Sequence, residues 1–301
     1  MCSPIARKAR SQSVYDRCKA VYGKESRWST SAASSRLDLL APNQGGLTMT
    51  EPVTLSDLKD LVTAAEEISA LFDYDTPWWR GHAKAEWSLQ AQVFRPERHS
   101  SDDEMALIGH FVSRAPSRSH RPCPLSGDHF GWLFLAQHYC LPTRLLDWSE
   151  NPLVAAFFAV LQEPDDDGCI WGMWPTRLNH AFGVPLGLIQ IRDPKLRESA
   201  KSAFTGITPP DEAEVLAIDG QENDPRMLAQ MGRFTIHSTR TPLEQGPDSA
   251  NWLRQYMIPK EAKTKIRAQL SAFGVQLPNL FPDFGSLAAD LKRRGRWAPY
   301  G

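Results

Sequence analysis

Two short runs hold the densest collection of residues able to do chemistry, Trp78-Trp79-Arg80-Gly81-His82 and Gln137-His138-Tyr139-Cys140-Leu141-Pro142-Thr143-Arg144-Leu145-Leu146-Asp147-Trp148. A guanidinium such as Arg80 forks onto a phosphate or carboxylate, and the glycine after it lets the backbone turn tightly and a ligand approach. The same residues suit packing equally well, with Arg80 stacked on Trp78 or Trp79 and paired to a core carboxylate. His138 can serve as acid, base or hydrogen-bond donor, or sit as a satisfied core histidine. Arg144 and Asp147 lie three apart and either pair with each other or point at a ligand. In a third run, Arg226-Met227-Leu228-Ala229-Gln230-Met231-Gly232-Arg233-Phe234-Thr235, Gln230 both donates and accepts but cannot titrate. Its alternative role is to satisfy the backbone of a neighbouring strand.

Other chemistries find no support. Cys123, His129, His138 and Cys140 lack the pair spacings of a zinc site, so no metal is expected. No G-x-S-x-G elbow, P-loop or G-x-G-x-x-G occurs. The 301 residues are 42% hydrophobic and 23% charged, enough to bury a real core. With 34 basic and 35 acidic side chains the formal charge is −1, which leaves no global field for a phosphate backbone or an anionic membrane. The five cysteines are odd in number and widely spaced, which suits a reducing compartment, so the expected location is the cytoplasm. No apolar run approaches the ~20 residues of a membrane span, and no apolar signal region opens the chain.

These runs need elements to hold them. Residues 1–48, rich in Ser, Arg and Lys, read as a disordered or accessory segment, with Met49 a candidate native start. Leu58, Leu61, Val62, Ala65, Ile68, Leu71 and Phe72 recur at helical spacing behind an expected capping box at Thr54 and Asp57. Trp78 to Gly81 and Trp87 to Ala91 read as strands around a Gly turn. Helices are expected at 103–115 and 128–139, the second ended by Leu141-Pro142. Leu145 to Trp148 is a short strand. Asn151-Pro152 starts a helix so uniformly apolar that it must be buried. Strands follow at 169–174, 214–218 and 233–237, the stretch 180–212 carries loop signals, and helices close the chain at 259–273 and 285–294, the last with Leu287, Ala288 and Leu291 inward. Helices and short strands interspersed without βαβ alternation indicate an α+β fold, a single mixed domain with a helical C-terminal part. The expected divisions are 1–48, a core at 49–240, and a helical extension at 241–301.

Trp79-Arg80-Gly81-His82, Trp87-Ser88-Leu89, Phe94-Arg95, Ala136-Gln137-His138-Tyr139, Leu141 to Trp148, Asn151-Pro152, Gln230 to Phe234 and Phe281-Pro282-Asp283 together resemble an FRG domain over about Pro77 to Arg294. The Phe-Arg-Gly motif reads Trp79-Arg80-Gly81 in this chain, and Cys140 stands where Gly is usual. A weaker similarity is to the ADP-ribosyltransferase fold, through Arg80-Gly81 and through Asp147-Trp148-Ser149 before an apolar helix. The catalytic Glu of that fold has no counterpart: the position expected to hold it falls near Arg226, Gln230 is the nearest polar substitute, and Glu212, Glu214 and Glu222 are the acids left to return. Neither Arg226 nor Gln230 supplies the negative charge that stabilises an oxocarbenium-like transition state.

The resemblance implies a pocket for NAD or another nucleotide. Arg80, Gly81, Trp79, Tyr139, Arg144 and Ser149 would bind it, and His138, Asp147 and Gln230 would carry the chemistry. The activity implied is ADP-ribosyl transfer to a protein acceptor, or NAD consumption, by a toxin or antiphage effector. The alternative is a nucleotide- or protein-binding module without turnover. No membrane partner and no strong nucleic-acid footprint are expected.

Overall fold

A computed structural model describes residues 53–70, 75–95, 101–118, 122–185, 187–206, 215–220 and 224–294. The segment 1–48, Leu71 and Phe72, which the sequence pattern places at the end of the first helix, and Glu212, Glu214 and Glu222 lie outside the described residues.

In chain order the elements are β1 (Val53–Thr54), α1 (Leu58–Ala70), β2 (Trp78–His82), α2 (Ser101–Arg114), α3 (His129–His138), β3 (Leu145–Ser149), α4 (Pro152–Leu161), β4 (Gly168–Met173), α5 (Pro175–Ala181), β5 (Ile189–Gln190), α6 (Pro194–Thr205), β6 (Val215–Asp219), α7 (Pro225–Gln230), β7 (Gly232–His237), β8 (Leu253–Ile258), α8 (Lys260–Ala272), α9 (Leu277–Leu280) and α10 (Phe284–Arg294). The strands form one eight-stranded mixed sheet in the order β1-β8-β4-β2-β3-β7-β6-β5. Its end pairs, β1 with β8 and β5 with β6, are parallel and the inner pairs antiparallel. The fold is α+β, as the interspersed pattern implies.

Alternation along the strands sorts the core. Trp79, paired with Ser149, faces α4, α1 and α8 in an apolar cluster with Ile170, Tyr256 and Ile258. On the same face, Leu145, Leu216, Phe234 and Ile236 pack against Ile108 of α2, Leu133 and Ala136 of α3 and Ala200 of α6. The opposite face, with Trp78, Leu146, Trp148, Trp171 and Met173, is covered by Leu178 of α5 and by Leu89, Leu243 and Trp252 from loops.

Several sequence expectations need correction. The α1 cap is Asp57 rather than Thr54: Asp57 Oδ1 accepts from the Lys59 amide at 2.8 Å, and Asp60 returns to the Asp57 amide at 3.1 Å. Thr54 is instead paired with Met257 in the sheet. Trp87 to Ala91 forms no strand. Leu89 is held by its amide to Glu244 Oε2 at 3.1 Å and by its carbonyl, which accepts from the Leu243 amide at 2.9 Å, so alternation there reflects anchoring to a distant loop. The stretch 180–212, expected to be loop, holds β5 and α6, the helix started by Asp193 as cap with Pro194 at its first turn. The boundary expected at 240/241 falls within the sheet, since β8 sits between β1 and β4. Strand β8 pairs antiparallel with β4 from the Gly168–Ile258 pair to the Met173–Leu253 pair, and Lys263 Nζ of α8 donates to the carbonyls of Ala83 at 2.7 Å and of Glu163, just beyond the end of α4, at 2.6 Å. Finally, α10 turns Leu287 and Leu291 to solvent rather than inward.

Candidate functional site

Strand β2 joins β3 through a single residue pair, Trp79 with Ser149, and the strands then part. Arg80 closes the gap. Its Nη1 donates to the main-chain oxygen of Asp147 at 2.6 Å and its Nε donates to His82 Nε2 at 3.1 Å. The His82 ring must then carry its proton on Nδ1, which donates to the Trp87 carbonyl at 3.0 Å. Burial, with Arg80 beside it, pushes the His82 pKa down to about 3, so the ring is neutral. Burial also lowers the Arg80 pKa to about 10, against the pull of Asp147, and leaves it charged.

Asp147 itself faces outward. Its carboxylate is 57% exposed, lies 4.0 Å from Arg80 Nη1 and accepts from Gln137 Nε2 at 2.8 Å. Gln137 is fixed in turn by the Thr143 hydroxyl, which donates to its Oε1 at 2.6 Å. Asp147 and Arg144 do not pair with each other. Arg144 is buried on Glu104 of α2, Nε to Oε1 at 3.0 Å and Nη2 to Oε2 at 2.8 Å, and donates to Ser202 Oγ at 2.5 Å. This bidentate pair ties α2 and α6 to the start of β3, so Arg144 has no free edge for a ligand.

The remaining expected binding residues are also engaged internally. Trp79 is buried against Tyr256. At Gly81 a Cβ would collide with the Ala155 carbonyl and lie 2.7 Å from the Ala159 nitrogen, so this glycine admits helix α4 rather than a ligand. Ser149 Oγ donates to the Gln230 carbonyl at 2.6 Å and accepts from the Asn151 amide at 3.0 Å. Gln230 Nε2 donates to the Leu280 carbonyl at 3.0 Å. These contacts lock the β3–α4 and α7–β7 junctions together.

His138 and Tyr139 stand elsewhere, at the C-terminal end of α3, where they line a cavity of about 830 Å³. Its walls are Phe130 and Phe134 of α3, Phe234 of β7 and Phe281, and its polar groups include Arg118, Asp128, Asp224, Arg226 and Asp283. Phe234 is the sheet partner of Asp147, so the carboxylate stands beside this cavity without lining it. The Arg226 guanidinium carbon lies over the Phe281 ring, 4.4 Å from its centre. Asp224 caps α7 by accepting from the Arg226 amide at 2.8 Å, and its Oδ1 is 3.8 Å from His138 Nδ1. The cavity thus brings His138 and Tyr139 together with Asp224, Arg226 and Phe281, three residues outside the expected set. Asp224-Pro225 carries the same cap signal as Asn151-Pro152 and could have placed Asp224 at a helix start.

Among the described residues no cluster of His, Cys, Asp and Glu suits a metal, and no helix is long and apolar enough to cross a membrane. No curated protein and no solved structure matches the chain. The model of the FRG domain family matches residues 75–168, which span β2, α2, α3, β3 and α4 and contain Arg80, His138, Arg144 and Asp147. Residues 75–168, the segment that splays β2 from β3 and presents the end of α3, therefore carry the FRG domain pattern.

Proposed function

We propose that the chain is a nucleotide-binding FRG module, cytoplasmic, whose ligand is NAD or a related nucleotide held in the cavity at the end of α3. The observation that carries this reading is the pairing of aromatic walls with fixed cations in a space of about 830 Å³, a size typical of small-molecule sites. An adenine or nicotinamide ring stacks among Phe134, Tyr139 and Phe281. Arg226, held over Phe281, keeps its N–H edge for a phosphate. His138 supplies a hydrogen bond to a ribose hydroxyl. Binding without turnover is favoured because Arg80, Arg144, Ser149 and Gln230 are all spent on internal bonds. The test is calorimetric titration with NAD, ADP-ribose and AMP, followed by chromatography of the ligand. The reading expects saturable binding with the nucleotide recovered intact; no binding of any of the three counts against it.

A second reading rests on Asp147, an exposed carboxylate oriented by Gln137 at 2.8 Å. In it the protein consumes NAD as a toxin or antiphage effector, or transfers ADP-ribose to a protein, with Asp147 in the place of the missing Glu. Labelled NAD that is hydrolysed or transferred by the wild type and left intact by Asp147→Asn supports this reading over the first.

A further inference from the structure

A second cavity, of about 530 Å³, shares Arg118, Leu135 and Tyr139 with the larger one, so the two are neighbours along a common wall. Most of its other lining is one face of α2, where Leu107, His110, Phe111 and Arg114 recur at helical spacing. The two cavities differ in charge. Three carboxylates, Asp128, Asp224 and Asp283, line the larger one among its aromatic rings. The smaller one carries His110, Arg114 and Arg118, and no carboxylate lines it. Among the described residues no acid pairs with Arg114 or Arg118. Arg118 Nη1 donates to the Arg114 carbonyl at 2.8 Å and to the Ser117 hydroxyl at 3.0 Å, which leaves the rest of its fork for an anion.

We propose that the ligand is an oxidised dinucleotide laid across both cavities, with its cationic nicotinamide ring in the larger, its diphosphate at Arg118 and its adenosine in the smaller. This rests on the nucleotide reading above and extends it to a ligand class and an orientation. Charge selects the orientation. A cationic ring is drawn both to aromatic faces and to carboxylates, and only the larger cavity offers the two together. Those carboxylates are held in place. Asp283 accepts from the Ser286 amide at 2.9 Å and hydroxyl at 2.8 Å, Asp128 from the Gly131 amide at 2.9 Å, and Asp224 from the Arg226 amide at 2.8 Å. They cannot swing away from a phosphate, so like charge drives the diphosphate towards the cavity that has none. Arg118 lines both cavities and meets the diphosphate on its way between them, while Arg226 takes the phosphate on the nicotinamide side. Leu107, Phe111 and Leu141 give the adenine an apolar bed, and Arg114 at its rim adds a cation for the adenosine half. Reduced NAD has the same diphosphate and adenosine but a neutral ring, so it loses the attraction of the larger cavity.

Calorimetric titration of the full chain with oxidised NAD, reduced NAD and ADP-ribose tests it. Oxidised NAD is expected to bind at least about fivefold more tightly than reduced NAD. In the double variant Asp224→Asn, Asp283→Asn, whose amides keep both helix caps, that preference should fall below about twofold. Arg114→Glu, at an exposed position, should weaken oxidised NAD and ADP-ribose alike by about tenfold or more, because both carry the diphosphate and the adenosine. Circular dichroism confirms that each variant is folded. Equal affinity for oxidised and reduced NAD overturns the proposal, as does a preference that the double variant keeps in full. Wild-type affinity for oxidised NAD in Arg114→Glu overturns it too. Each of those results leaves the nucleotide reading standing. That reading fails instead, and this inference with it, when none of the ligands binds the wild type.

Discussion

Arg80 reaches Asp147 through the main chain rather than through the carboxylate: Nη1 donates to the Asp147 carbonyl at 2.6 Å while Oδ2 stays 4.0 Å away. The guanidinium thus replaces ladder hydrogen bonds where β2 and β3 part, and the Asp147 side chain remains free of that duty. Arg80→Ala should lower the unfolding free energy by about 2–4 kcal/mol, the cost of leaving buried acceptors unpaired. Asp147→Ala, at an exposed position, should change it by less than about 1 kcal/mol. Urea unfolding of the two variants measures the contrast.

The Arg144–Glu104 pair joins the residue just before β3 to α2, and both side chains are buried, 6% and 3% exposed. Removing either partner leaves an uncompensated charge in the core. Glu104→Gln or Arg144→Ala should each cost about 3–5 kcal/mol, and replacing both with Met should recover most of the loss. Denaturation of the single and double variants reads the coupling.

Cys140 ends α3 in the left-handed region, with φ of 61°. The Cys140 amide donates to Gln137 O at 2.9 Å and the Leu141 amide to Ala136 O at 3.0 Å, the bonding pattern of a Schellman cap. Glycine fits this position without the Cβ penalty. Cys140→Gly should leave stability unchanged or raise it by about 1 kcal/mol, visible as a rise in Tm.

His82 and His237 are both held neutral, each with its pKa pushed down to about 3, first by burial and then by Arg80, with Arg144 adding to the effect on His237. A folded-state pKa below the unfolded value near 6.5 means that the unfolded chain binds more protons on acidification. The stability these rings contribute is full above about pH 6.5 and is lost as pH falls towards 3, about 2 kcal/mol for each histidine by pH 5. The urea midpoint should drop between pH 7 and 5, and His82→Asn should flatten part of that slope.

Much of the framework was legible in local signals. Asn151-Pro152 and the apolar run behind it fix α4, and Leu141-Pro142 marks the end of α3. Strand β8 was not legible, because a half-buried strand with Arg254 and Gln255 shows little alternation, and α6 was hidden because its buried stripe is built mostly from small residues, Leu196, Ser199, Ala200, Ser202 and Ala203. At the site, the Arg80-Gly81 pair read as ligand-binding chemistry. Only the position of α4 reveals why residue 81 carries no side chain. The partner of Arg144 lies forty residues away at Glu104, beyond any spacing rule. Arg226 and Phe281 meet only through the approach of α7 to the segment after α9.

The central claim is that nucleotide binds at the end of α3, against Arg226 and Phe281, and not on Arg80. Calorimetric titration of NAD or ADP-ribose into the wild type, Arg226→Ala, Phe281→Ala and Asp147→Asn tests it most directly. Arg226→Ala and Phe281→Ala are expected to weaken binding by about tenfold or more, the loss of a charge-assisted bond or a stacking wall. Asp147→Asn should bind as the wild type does. Wild-type affinity in both cavity variants, or binding abolished by Asp147→Asn alone, would contradict the account.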